Sequence, residues 1–173
     1  SNLTVINPAL FEYFGKFKEV WLSVSVEGTH GTHEYLRYGH TWRKLTNNLK
    51  LVQDMKIKNL VLKINHVVQA PSYHSIIDMT HFFDSLGVEI HPIMLSSPKH
   101  FHISALTQHA KEKFLADTEN YVGSNKEFIN FVRNATRENI KQDKMLTADC
   151  IKHLEKFDMV RKNSYKDIIP IEN

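Results

Sequence analysis

The chain has 173 residues, the size of a single domain able to bury its own core. Lys and Arg total 22 against 19 Asp and Glu, a mild excess spread along the chain, so nucleic acid is not indicated as a partner and an ordinary apolar content excludes disorder. No apolar run approaches the roughly 20 residues that cross a bilayer, and no basic segment leads into a long apolar one, so a cytoplasmic protein without membrane contact is expected.

Lys18 to Val26 (KEVWLSVSV) is rich in β-branched and aromatic residues and predicts a first strand, ending at Glu27-Gly28, where glycine permits a sharp departure. From Trp42 to Met55, the positions Leu45, Leu49, Val52 and Met55 share one helical face, with Thr41 as the N-cap. Lys58 to Val68 (KNLVLKINHVV) reads as a second strand, broken by Pro71-Ser72. Ile76, Met79, Phe83 and Leu86 then form a helical stripe that Gly87 closes. Val88 to Leu95 (VEIHPIML) is the third strand, and Pro92 inside it predicts an edge position or a bend.

Beyond Ser96 the pattern turns helical. Ser104 is expected to cap a helix running towards Tyr121, Ser124 with Glu127 to form a capping box for a second, and Thr147 to start a third carrying Ile151, Leu154 and Phe157. Ile168 to Ile171 close the chain around Pro170. With no linker in sight, residues 1–103 form βα units and residues 104–173 a helical region packed on the same domain.

Strands separated by helices imply parallel pairing, because parallel neighbours need a crossover connection. The fold class is therefore α/β, and so few units make either a small open sheet or half of a larger parallel barrel. In both, ligands sit where the strands end at their C-terminal side, which selects Glu27 to Tyr38, Gln69 to Tyr73 and Ser96 to Phe101.

Histidines His30, His33 and His100 fall in those segments and can in principle hold a divalent ion. No HExxH or paired-cysteine spacing supports a metal, and with 11 histidines in the chain such clusters arise incidentally. Cys150 is the one cysteine, which excludes an internal disulfide and a thiolate cage. Its place beside Ile151 suggests a structural thiol rather than a nucleophile.

Ser25 and Glu27 lie two apart and point to one side of the first strand, and Arg37 follows within Tyr35-Leu36-Arg37-Tyr38. A hydroxyl, a carboxylate and a guanidinium suit a ligand with ribose hydroxyls and a carboxylate. The alternative is a strand-end serine, a solvated glutamate and a surface arginine. Asn65, among apolar neighbours in the second strand, must be hydrogen-bonded if buried, and either ties the sheet to a loop or faces a ligand.

The order of these pieces carries a resemblance. A strand ending Ser25-Val26-Glu27-Gly28, then Tyr35-Leu36-Arg37-Tyr38, a helix containing Trp42, and the strand Ile64-Asn65-His66-Val67-Val68 resemble the C-terminal half of radical S-adenosylmethionine enzymes, in particular the small twitch-type members. The tail is similar as well, with Leu154-Glu155-Lys156-Phe157-Asp158, then Val160-Arg161 and a closing Tyr165 to Pro170. The resemblance implies the C-terminal half of a partial (βα)6 barrel. Ser25 and Arg37 would contact S-adenosylmethionine, Asn65 would support them, and Met94 and Leu95 would lie against the adenine. Glu27 stands where the family has Asp.

In the intact family a Cys-x3-Cys-x2-Cys motif holds a [4Fe-4S] cluster that cleaves S-adenosylmethionine to a 5'-deoxyadenosyl radical, which abstracts hydrogen from a substrate. This chain lacks those cysteines, so by itself it is expected to bind no cofactor and to be inactive. The substrate is not specified. A half-barrel also exposes the edge of its first strand, which implies pairing into a homo-oligomer. The alternative from another class is a non-catalytic α/β module that binds a nucleotide-like ligand or a protein partner.

Overall fold

Alternation along Val20–Ser25 (β1), Leu60–Val68 (β2) and Glu89–Met94 (β3) builds a three-stranded sheet in the computed structural model, which describes residues 1–171. The strands are parallel and stand in the order of the chain, with Val24 beside Ile64 and Ile64 beside Ile90. The α/β class and the parallel pairing expected from the sequence are present, in an open sheet. Pro92 lies on β3, an edge strand.

Consecutive order has a geometric consequence. Right-handed crossovers between neighbours that never reverse direction put every connecting helix on the same face. On that face Val24, Ile64, His66, Val68 and Ile90 are buried. On the other, Trp21 is 58% and Ile93 41% exposed, Glu89 and His91 are exposed, and Ser23, Ser25, Lys63, Asn65 and Val67 are half-buried. Parallel sheets are normally covered on both faces. This one is covered on one.

The helices are α1 (Pro8–Phe14), α2 (His30–Leu36), α3 (Trp42–Asp54), α4 (Ile76–Ser85), α5 (Gln108–Asp117), α6 (Lys126–Glu138) and α7 (Lys144–Arg161). In α3, Leu45, Leu49 and Val52 enter the core as the spacing predicts, each burial worth about 2 kcal/mol before ordering entropy. Thr41 Oγ1 caps α3 by accepting the Lys44 N–H at 3.3 Å. Gly87, at φ +63°, ends α4: its N–H donates to Asp84 O and the Val88 N–H to Phe83 O, the paired bonds of a Schellman turn.

The tail helices start elsewhere than expected. Thr107, not Ser104, caps α5 by accepting from the Ala110 N–H, while Ser104 lies in a 3-10 turn at Ile103–Ala105. Asn125 is the N-cap of α6 in place of Ser124, whose hydroxyl is drawn away to Asp84 Oδ1 at 2.7 Å, so no capping box forms. Asp143 caps α7 by accepting from Met145 and Leu146 N–H; Thr147 is one turn inside, its hydroxyl donating to Ala105 O at 2.6 Å. In each case a distant partner claims the hydroxyl that local spacing offered to the helix. Residues 172 and 173, the end of the expected helical region, lie outside those described.

Two further helices escape the periodicity, α1 and α2. The segment of α2 reads as a Gly-containing loop, yet Thr32, His33 and Tyr35 are buried and Trp42 N–H donates to Glu34 Oε1 at 2.8 Å. One buried cluster runs from Val24 and Ile64 through Met79 and Phe83 to Phe114, Phe128, Val132 and Leu154, so the βα units and the tail share a core. At the edge of β1 the Ser1 amino group donates to Ser23 O at 2.8 Å and Ser25 N–H to Ser1 O at 2.9 Å, occupying the C-terminal part of that edge.

Candidate functional site

Where β1 and β2 end, the chain turns at Gly28 into α2 and at Gln69 into a 3-10 turn, Ala70–Ser75. Gly28 holds φ +122°, and a Cβ there would meet Ser75 Oγ at 2.4 Å and Thr32 Cγ2 at 2.9 Å. Only glycine lets the two turns approach this closely.

That approach gathers a polar group around Glu27. Its Oε1 accepts from Arg37 Nη2 at 2.8 Å and its Oε2 from Gln69 Nε2 at 3.3 Å, with the Glu27 side chain 9% exposed. The Glu27 N–H donates to His33 Nδ1 at 3.4 Å. His33 is therefore neutral, and burial, with the charges of Arg37 and His40, holds its pKa down at about 4. His66, buried beneath β1 on the covered face, bonds Val26 O at 2.8 Å; burial lowers its pKa although Glu27 pulls the other way. His40 is lowered by desolvation and by Arg37 and Lys44.

A cleft of about 530 Å³ opens beside this group. Glu27, Arg37, Tyr38, His40 and Gln69 form one wall, and Phe101, Phe157 and Arg161 come from the tail side. α7 is anchored there by Tyr35, whose hydroxyl donates to Leu154 O at 3.1 Å and Asp158 Oδ1 at 2.8 Å. Arg161 Nη1 donates to Tyr35 O at 2.5 Å, and its guanidinium lies over the rings of Phe157, Tyr38 and Tyr35 at 4.4, 5.4 and 5.5 Å.

The residues singled out in the sequence separate into two groups. Glu27 and Arg37 meet as an ion pair at the cleft. Ser25 and Asn65 sit side by side in register on the bare face of the sheet, and among the described residues neither side chain has a hydrogen-bond partner. Asn65 is half-buried rather than enclosed, so the open face accommodates its free amide. Met94 alternates with Ile90 onto the covered face and packs against the core, whereas Leu95 shares the parity of the bare face. Below Ser25 and Asn65, Lys63 Nζ stands 3.0 Å from Glu89 Oε2 and 4.4 Å from the Trp21 ring centroid.

The histidines do not converge on a metal. His33 packs against Trp42 at 5.8 Å between ring centroids, and His100 stacks on His153 at 3.7 Å. Among the described residues no three His, Cys, Asp or Glu side chains form a metal-holding group. Gln69, Tyr38 and Phe101 fall in the segments that the strand-end rule selects. Phe157 and Arg161 reach the cleft only through the packing of α7.

No family model, characterised protein or solved structure matches this chain.

Proposed function

We propose that this chain is the C-terminal half of a radical S-adenosylmethionine enzyme of the twitch type, with Ser25, Asn65 and Leu95 turned towards the cofactor. The observation that carries the reading is the bare face of the sheet: three parallel strands in chain order, helices on one side, and near their C-terminal ends a hydroxyl and an amide without hydrogen-bond partners among the described residues. A doubly wound sheet reverses its strand order and is covered on both faces. Chain order with one covered face is compatible with a segment of a parallel barrel, whose inner face the remaining strands would close, and this supports the reading.

S-adenosylmethionine fits these residues. The Ser25 hydroxyl and the Asn65 amide each donate and accept, which suits ribose hydroxyls and an amino-acid head group. Leu95 offers an apolar contact for the base; Met94, on the covered face, does not. Arg37 is held by Glu27 through Nη2, and only its other N–H groups remain for a cofactor carboxylate. When bound, S-adenosylmethionine supplies the carbon-centred radical chemistry of that class, and the part of this chain is to bind and orient it.

A [4Fe-4S] cluster does not fit the residues present. Cys150 is the one thiol, fully buried, and burial pushes its pKa up to about 12, far from the thiolate that iron requires. No step through the cluster follows from this chain.

The gene decides the matter directly. An in-frame Cys-x3-Cys-x2-Cys upstream of Leu3 is the expected finding, and a stop codon just before Leu3 overturns the proposal. In that event the chain is a free-standing α/β binding module.

A further inference from the structure

We propose that Arg161 and the aromatic rings around it bind a small anion, a carboxylate or phosphate carried on a planar or apolar body. This names the substrate class of the cleft where β1 and β2 end, and it rests on the reading above for calling that molecule a substrate.

Two guanidiniums, Arg37 and Arg161, line the cleft with a single carboxylate, Glu27. Both oxygens of Glu27 are already engaged, one by Arg37 and one by Gln69. His40, its pKa lowered mainly by desolvation, adds no charge at neutral pH. Among the residues that line the cleft one positive charge is left over, and it belongs to Arg161.

Arg161 has no acidic partner among the described residues. Asp158, one turn earlier on α7, accepts instead from the Tyr35 hydroxyl at 2.8 Å and the Tyr165 N–H at 3.0 Å. Of the five N–H groups on the Arg161 guanidinium, the one hydrogen bond it makes among the described residues, to Tyr35 O, uses a single nitrogen. Arg161 itself lines the cleft. Phe157, Tyr38 and Tyr35 fix the guanidinium by cation–π contact, so little side-chain entropy is lost when an anion docks.

The walls specify the rest of the ligand. Tyr38 is 64% exposed, a large ring with little packing role of its own, and Phe101 stands with Phe157 on the tail side at 6.1 Å between centroids. In this proposal the ring or flat apolar group of the ligand rests on the exposed Tyr38 and on Phe101 while its acid meets Arg161. A purely structural Arg161, stapling α7 to Tyr35 O, does not require an exposed Tyr38.

The test is a titration of the whole chain, followed by amide and arginine side-chain NMR shifts, with phenyl phosphate, benzoate and neutral benzyl alcohol. One or both anions are expected to shift Arg161 and Tyr38, with the stronger of the two naming the acid, and benzyl alcohol to bind at least about tenfold more weakly, the worth of one charge-assisted hydrogen bond. Arg161→Gln should lose the same factor and Arg161→Lys regain part of it. Tyr38→Ala leaves the staple to Tyr35 intact, so it keeps the proposal testable if Arg161→Gln unfolds, and it too should weaken binding. Equal binding of the neutral probe, shifts away from the cleft, or unchanged affinity in Tyr38→Ala overturns the site.

A parallel titration with S-adenosylmethionine separates this idea from the cofactor reading. Ser25→Ala should leave anion binding unchanged. If Arg161→Gln abolishes S-adenosylmethionine binding as well, the anion is the cofactor's own carboxylate and a separate ligand is ruled out. If the upstream cysteine motif is absent but the anions bind, the site stands and only the word substrate falls.

Discussion

Replacing His33 with Phe removes a buried imidazole whose Nδ1 accepts the Glu27 N–H at 3.4 Å. His33 is wholly inaccessible to solvent, and burial, reinforced by Arg37 and His40, holds its pKa at about 4 against an ordinary 6.5. The folded state thus takes up this proton less readily than the unfolded chain. Stability rises with pH through the interval between those two values, is complete above the unfolded value, and is lost as the medium is acidified. At about 1.4 kcal/mol per pH unit the whole interval is worth about 3 kcal/mol, most of it spent by about pH 4.5. In His33→Phe this dependence disappears, while the Glu27 N–H, left without an acceptor, costs about 1 kcal/mol at neutral pH. Urea unfolding followed by circular dichroism, at pH values from about 7.5 to about 4.5, measures both effects. The wild type should start higher and fall more steeply, and the two curves should converge or cross in acid. His66 and His74, also lowered by burial, are present in both proteins and cancel in the difference. Parallel curves would refute the assignment of a neutral, buried His33.

Gly28→Ala forces a Cβ to within 2.4 Å of Ser75 Oγ at a φ of +122° and should cost about 2 kcal/mol or more, read as a lower urea midpoint; an unchanged midpoint would mean that the two strand-end turns are not packed as described. Asp84 accepts from the Ser124 hydroxyl and from the backbone and side-chain N–H groups of Asn125, and also from the Tyr121 hydroxyl, so Asp84→Ala should loosen the start of α6. A loss of about 2 kcal/mol is expected, with amide exchange accelerated first around Asn125 and Ile129. These bonds outweigh desolvation and hold the Asp84 carboxyl below its ordinary value, so its contribution is present at neutral pH and fades as acid protonates it. Ser25→Ala and Asn65→Ala remove groups that bond nothing among the described residues and should shift stability by no more than about 0.5 kcal/mol while weakening S-adenosylmethionine binding; a large loss of stability would reveal a structural role instead.

The parts of this protein legible in the sequence are those whose causes lie within one turn or one strand. Thr41 needs only Lys44 to cap α3, Gly87 needs only Asp84 and Phe83 to close α4, and strand alternation needs only the next residue but one. These local rules determined three βα units with parallel strands, and parallel strands point to their C-terminal ends as the place for a ligand. Ser104, Ser124 and Thr147 were equally plausible caps by spacing. Tertiary structure diverted them, since Asp84, forty residues from Ser124, and Ala105, forty-two from Thr147, compete for the same hydroxyls.

At the site the division is the same. Composition and spacing marked Ser25, Glu27, Arg37 and Asn65, but not that Glu27 and Arg37 neutralise each other while Ser25 and Asn65 remain free on an uncovered face. Still less does a local pattern bring Arg161 back over more than a hundred residues to the backbone of Tyr35. Chain chemistry by itself determined which side chains are present near each strand end; only packing in three dimensions decided which of their charges and donors are spent on the protein and which are left over for a ligand, because that balance is set by long-range contacts no local periodicity encodes.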